Sequence, residues 1–240
     1  MTLHRLRPFW YYYGGKFRAA PKYPAPRHTH IVEPFAGAAG YSMRYPGCDV
    51  TLVDSYPAIV ETWRFLIGAR RSDIMAIPIV EHVDDLPDGL PDGARFLVGW
   101  NLNSAAAIPR KTLSAGNVRN QSMGSRLAGW TAERRERTAS QVSAISHWKV
   151  IEGDYTIAPR DDRATYFVDP PYQGRAGSYY ARKFSDYPAL AEWCRGLPGQ
   201  VIVCEQEGAT WLPFSPLGLF KAQPARQVSS EVIWYRAEQP

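Results

Sequence analysis

Short apolar runs alternate along this chain with stretches whose apolar residues recur at helical spacing. In "HIVEPFAGAAGYSMRY" the run from Ile31 to Phe35 predicts a strand that breaks at a glycine-rich turn (Gly37, Gly40), with a short helix after it. "DVTLVD" predicts a second strand ending on Asp54. In the segment that follows, Pro57 suits a first helical turn, and Ile59, Val60, Trp63, Leu66 and Ile67 lie at helical spacing. Arg70 and Arg71 sit where cations would favour the end of that helix. Strand, helix, strand, helix implies right-handed crossovers and a parallel sheet.

"DDLPDGLPDG" (84–93) is a loop of turn dipeptides, and from about Asn101 to Arg126 no clear period is present. Helical patterning resumes at Thr131, a suitable N-cap. "WKVIEGDY" and "TYFVDPPY" predict two more strands. "DYPALAEWCRGL" predicts an amphipathic helix with Leu190, Trp193, Cys194 and Leu197 on one face. "QVIVCE" reads as a buried strand and "SSEVIWYR" as the last one. The expected fold is α/β: a mostly parallel sheet, interrupted near the middle by an irregular basic insert.

Composition sharpens this only a little. A hydrophobic share of 45% and a charged share of 21% fit a globular protein, and 240 residues allow one sizeable core with a small subdomain. The net charge of +5 leans towards an anionic partner, and eight Trp with fourteen Tyr offer rings that could stack on bases. Three scattered cysteines, Cys48, Cys194 and Cys204, argue against a disulfide framework and a zinc site. No signal-type segment and no apolar run of membrane-spanning length is present, so a cytoplasmic protein is expected, with no metal.

In an open parallel sheet, ligands bind where the strands end. The "EPFAGAAG" turn allows close backbone approach but lacks the GK[ST] ending of a phosphate loop. Asp54 ends the next strand and could accept hydrogen bonds from a ribose; a helix N-cap is the competing role. Asp154 and Tyr155 in "EGDY" could hold an adenine, or simply form a turn.

"DPPY" (169–172) is the most informative segment. An exocyclic amine on a nucleobase attacks poorly because its lone pair is delocalised. Two acceptors set against its N–H bonds would favour a localised lone pair. Asp169 can supply one and the Pro170 carbonyl the other, with Pro170 and Pro171 holding that carbonyl in place. Tyr172 then offers a face for the base. For this chemistry Asp169 has to face the glycine-lined crevice outside a buried ion pair, with space for a planar ring.

These segments resemble the amino-group DNA methyltransferases of the DNA adenine methylase (Dam-like) family, in particular phage and prophage members. "YYYGGK" resembles the family's aromatic-x-GGK segment, "VEPFAGAAG" its cofactor loop, "LVD" its ribose acid and "DPPY" its catalytic tetrapeptide, in the alpha order of motifs. The resemblance implies a Rossmann-like methyltransferase sheet, mostly parallel with the last strand antiparallel, built from residues 1–98 and 149–240. A small, mainly helical target-recognition insert would span 99–148. It implies S-adenosylmethionine as donor, held by Tyr12, Lys16, Pro34, Phe35, Ala36, Gly37, Asp54, Asp154 and Tyr155. It implies double-stranded DNA as partner, with a flipped adenine methylated at its 6-amino nitrogen. Arg110, Lys111, Arg119, Arg126 and Arg134, with Arg135 and Arg137, would contact DNA. A cytosine 4-amino or an RNA adenine methyltransferase remains open, as does a DNA-binding protein without activity. Two positions depart from the family. A tyrosine stands where a tryptophan is common. The loop after "VIVC" reads Glu205-Gln206-Glu207-Gly208 where relatives carry a Ser-Asn type, and its acids could repel phosphate or grip a donor group.

Overall fold

The structure is a computed structural model that describes residues 6–103, 105–221 and 228–237. Seven strands form one sheet: β1 His30–Glu33, β2 Asp49–Asp54, β3 Lys149–Glu152, β4 Ala164–Val168, β5 Gln200–Gln206, β6 Ser215–Lys221 and β7 Val228–Arg236. Their order is β3-β2-β1-β4-β5-β7-β6. The first five are parallel, and β7 runs antiparallel between β5 and β6. The stretch β3-β2-β1-β4-β5 has the order of a doubly wound nucleotide-binding sheet, whose crevice opens where the order reverses, between β1 and β4.

The strands are apolar on both sides because both faces are covered. Ile31, Leu52, Phe167 and Ile202 enter one core, while their neighbours Val32, Val53, Val168 and Val203 enter the other. On the first side lie α1 Pro57–Gly68 and α3 Asp92–Asn101, through Trp63, Leu66, Leu97 and Trp100. Trp10 joins them, its ring 5.0 Å from Trp63 and 6.1 Å from Trp100. On the second side α6 Tyr187–Arg195 buries Leu190 and Cys194, with Leu197 beyond its end and Trp193 packed against the same cluster, as its period predicts.

Several expectations change. The helix expected after the glycine turn is a single 3-10 turn, Ser42–Arg44, too short to carry a helix dipole of any size. The first helix ends at Gly68, and Arg70 instead caps α2 Arg71–Met75: its amide donates to Asp73 Oδ2 at 2.8 Å, and its carbonyl accepts from the Asp73 amide at 3.1 Å. Helix α3 and strand β6 were absent from the sequence expectations. Helix α3 follows a Pro-Asp-Gly turn signal, and it packs so closely that a Cβ on Gly93 would sit 2.1 Å from the Glu61 carbonyl oxygen. Strand β6 carries Pro216 and Gly218 with a bulge between them, features tolerated at a sheet edge.

Within 99–148 lie α4 Ala115–Ser122, capped by Ser114, and α5 Ala132–Ala139, capped by Thr131. The boundary expected between residues 98 and 99 falls inside α3. Trp130, Val142, Ile145 and Trp148 share one buried cluster with Trp63 and Leu66. Among the described residues no helix is long and apolar enough to cross a membrane.

Candidate active site

A cleft opens over the carboxyl ends of β1, β2 and β4. Its wall includes Glu33, Phe35, Ala36, Gly37, Asp54 and Asp169, with Tyr12 and Lys16 from the N-terminal segment and Tyr180, Arg182 and Lys183 from the chain after DPPY. Parallel pairing brings these ends together: Glu33 is in register with Leu52, and Val32 with Tyr166. Asp54 and Asp169 then follow at the tips of β2 and β4.

The turn after β1 is built by its neighbours. Gly37 has φ +46°, and its amide donates to Asp54 Oδ2 at 3.0 Å. The other oxygen, Oδ1, accepts from the Tyr56 amide at 2.9 Å. Asp54 therefore joins the glycine turn to the start of α1, which is the capping role weighed from sequence, while also facing the cleft. Burial pushes its carboxyl up to about 6 against the pull of those amides. Gly40 has a different purpose: a Cβ there would lie 2.6 Å from the Phe17 amide nitrogen. The glycine-rich turn thus makes room for the "GGK" segment to cross the mouth of the sheet.

That crossing overturns one expectation. Lys16 is buried, 4% exposed, and its Nζ lies 2.8 Å from Asp169 Oδ1 and 2.8 Å from the Gly14 carbonyl. Asp169, 16% exposed, is thus held in an ion pair, contrary to the unpaired acceptor expected from sequence. The pair engages Oδ1; no described residue donates a hydrogen bond to Oδ2, and Asp169 stays on the cleft wall. Burial pushes the Asp169 carboxyl up to about 6, because desolvation outweighs Lys16. Burial alone would lower the Lys16 ammonium, but Asp169 and Glu231 carry it above its ordinary value.

Of the rest of DPPY, Pro171 borders the cleft, while Pro170 and Tyr172 lie behind its wall. Pro170 is buried, and the Pro171 carbonyl accepts from Tyr187 Oη at 2.9 Å. Tyr172 is 8% exposed and hydrogen-bonded to Glu231 at 2.5 Å. Lys16 Nζ stands 4.5 Å from its ring centroid, so that face carries a cation instead of open space for a base. Tyr12 does border the cleft, edge-on to Trp100 at 5.5 Å and tilted against Tyr180 at 5.9 Å.

Pro34, Asp154 and Tyr155 are not on the wall. Pro34 is buried. Asp154 caps the short turn Tyr155–Ile157 by accepting from Thr156 N at 2.8 Å, the turn reading of "EGDY". Tyr155 stacks under Phe35, centroids 5.6 Å apart, and is edge-on to Trp193. It supports Phe35 from below.

Glu33 was not singled out from sequence, although it opens the quoted turn. It is 2% exposed, borders the cleft and accepts from the Ser42 amide at 2.8 Å. Burial pushes its carboxyl up to about 8. A folded value above the ordinary one favours folding at low pH, and that contribution is lost as pH rises from 4.5 towards 8. Glu33→Gln keeps an acceptor for Ser42 without the charge. Urea denaturation should give equal stabilities at about pH 5, with the variant ~1–3 kcal/mol more stable at about pH 9. Parallel pH profiles for the two proteins would refute this.

Of the basic residues in the insert, Arg110, Lys111, Arg119 and Arg126 are exposed. Arg134 is not: it is 4% exposed, and its Nη2 donates to the Leu127 carbonyl. Helix α5 turns Arg134 and Thr138 to one buried face, so Arg134 is no outward contact for DNA. Arg135 and Arg137 likewise donate to the Ile77 and Pro8 carbonyls, at 2.8 and 3.2 Å. Among the described residues no group of three or more His, Cys, Asp or Glu side chains could hold a metal ion.

No protein-family model matches the chain, and no curated protein matches its sequence.

Proposed function

We propose that the chain is a methyltransferase that uses S-adenosylmethionine to modify the 6-amino nitrogen of an adenine in DNA. The observation that carries this proposal is the meeting of three separate segments in one cleft at the β1/β4 switch point. These are the glycine turn with Asp54, the Lys16 segment, and Asp169 of DPPY. The cleft also suits the donor in its chemistry. Acids at Glu33, Asp54 and Asp169 and rings at Tyr12, Tyr56 and Phe35 are favourable surroundings for a cationic sulfonium. Tyr12, Lys16, Phe35, Ala36, Gly37 and Asp54 would hold it, and it supplies an electrophilic methyl group.

The chain's own task is to prepare the amine. Asp169 Oδ2 accepts one N–H, and the second acceptor proposed is the carbonyl of Pro170, a buried residue that does not itself border the cleft. Nitrogen gains the methyl carbon, the donor's sulfur leaves neutral with the former bond pair, and the amine's surplus proton passes to Asp169 and on to water. The condition set from sequence, an Asp169 outside a buried ion pair, is not met, so the proposal rests on a narrower one: Lys16 engages Oδ1, helps keep the carboxylate ionised, and leaves Oδ2 to the substrate. Arg110, Lys111, Arg119 and Arg126 would meet phosphates of the duplex, and the adenine would leave the stack to reach the cleft.

A second reading draws on the Lys16–Asp169 pair itself. If that pair is permanent, the carboxylate serves the fold, and the protein binds nucleic acid without modifying it. Incubation with tritiated S-adenosylmethionine and unmethylated DNA separates the two. Label in DNA, mapped to adenine N6 by sequencing, is the expected result. Label on cytosine or only on RNA would redirect the substrate, and no label on any nucleic acid would favour the binding protein.

A further inference from the structure

Beyond the cleft, the N-terminal segment and α5 carry an arginine cluster that no carboxylate among the described residues answers. Arg134 and Arg137 lie three residues apart on α5, on one face of the helix. The two acids of that helix are engaged elsewhere: Glu136 pairs with Arg71 at 2.7 Å and Glu133 with Arg126 at 3.8 Å. Arg7 is brought alongside by its backbone, which exchanges hydrogen bonds with the Gln141 side chain at 2.6 and 3.2 Å. Tyr11 covers Arg134, its ring centroid 5.4 Å from the guanidinium carbon, and is itself 40% exposed.

Arg134 is only 4% exposed, yet among the described residues its Nε and Nη1 find no hydrogen-bond partner, and neither does Arg137 Nε. Among the described residues none of Arg7, Arg134 and Arg137 is in an ion pair with an acid. Like charges held together out of water are costly unless an anion joins them. Arg7 is exposed and Arg137 half-buried, so the cluster opens to solvent.

We propose that Arg7, Tyr11, Arg134 and Arg137 form a binding site for a phosphate group. A multiply charged, several-oxygen anion matches convergent guanidinium forks better than a single carboxylate does. Arg134 supplies buried charge from beneath, while Arg7 and Arg137 make the outer contacts. Tyr11 adjoins Tyr12 of the cleft wall, so a phosphate here sits just across the backbone from the proposed methyl-transfer site. The site stands independently of methyl transfer, since none of its members borders the cleft.

Thermal denaturation of the full chain with inorganic phosphate, against sodium chloride of equal ionic strength, tests the site. The expected result is a saturable rise in Tm, with apparent affinity ~10-fold weaker in R7Q and in R137Q and largely kept in R137K. These outer positions are chosen because removing the buried Arg134 threatens folding. Titration with a short DNA duplex across a salt series then identifies the source of the phosphate. A fall in duplex affinity, with the salt dependence shallower by about one contact per arginine removed, assigns it to a nucleic-acid backbone. Unchanged duplex binding with lost phosphate binding assigns it to a free phosphate ligand. No saturable effect in the unaltered protein, or an equal effect in the R7Q/R137Q double variant, overturns the proposal.

Discussion

Replacing Asp169 by alanine should lower methyl transfer to DNA by ~10³-fold or more, because the cleft's other acids are engaged, Glu33 by the Ser42 amide and Asp54 by the Gly37 and Tyr56 amides. The same change strands Lys16, a buried ammonium whose ion-pair partner is Asp169 at 2.8 Å. Breaking a buried pair by removing one member costs ~3–5 kcal/mol. Lost activity could therefore reflect a lost fold, and the double variant Lys16→Met/Asp169→Ala separates the two. Taking out both charges should recover most of the stability, read by urea denaturation, while methyl transfer stays absent. Lys16→Met alone adds a pH signature. Lys16 opposes the burial that pushes the Asp169 carboxyl to about 6, so without it the carboxyl rises further. A rate that needs the ionised acid falls as pH drops through that value, so the acid limb of the rate profile should move to higher pH. Asp169→Ala protein that still methylates DNA would remove Asp169 from the chemistry altogether.

The parts of this site that were legible from sequence are those determined by local pattern. Runs such as Val50–Val53 and Val201–Val203 read as strands because both sheet faces are covered, and Pro170 and Pro171 mark where β4 has to end. From strand order alone, Gly37, Asp54 and Asp169 belong at one edge of the sheet. Side-chain pairing across the chain was not legible. Nothing near position 16 signals that its lysine will meet Asp169, because the contact depends on Gly40 letting the chain cross. Tyr172 looked like a surface for stacking, but its hydroxyl is claimed by Glu231 on β7. For Arg134 a usable signal was present: Arg134 and Thr138 are four apart in a helix starting at Thr131, which puts them on one face with the core. Charge type outweighed position there. Helix α3 was masked by the turn dipeptides before it, although Leu97, Trp100 and Asn101 have the spacing of a buried face.

Glu205→Ala should destabilise the protein by ~3 kcal/mol or more, since three donors lose their acceptor together. Its Oε2 accepts from the Gln173 amide at 3.1 Å and from Trp211 Nε1 at 3.0 Å, and Oε1 accepts from the Gln206 amide at 2.8 Å. Glu205 is fully buried, so of the two roles open to this loop's acids it grips donor groups, and those donors are the protein's own. It clamps the chain that leaves DPPY to the end of β5, and Gln206 Nε2 reinforces the clamp by donating to the Gln173 carbonyl at 2.7 Å. Glu205→Gln should fall between the two proteins, keeping its oxygen on Gln173 and Trp211 but turning an NH2 group towards the Gln206 amide. Because Gln173 directly follows Tyr172, loosening the clamp should also speed hydrogen exchange at the Gln173 amide ahead of global unfolding. An alanine variant within ~0.5 kcal/mol of the unaltered protein, with the Gln173 amide equally protected, would mean that the clamp contributes nothing to holding the tetrapeptide.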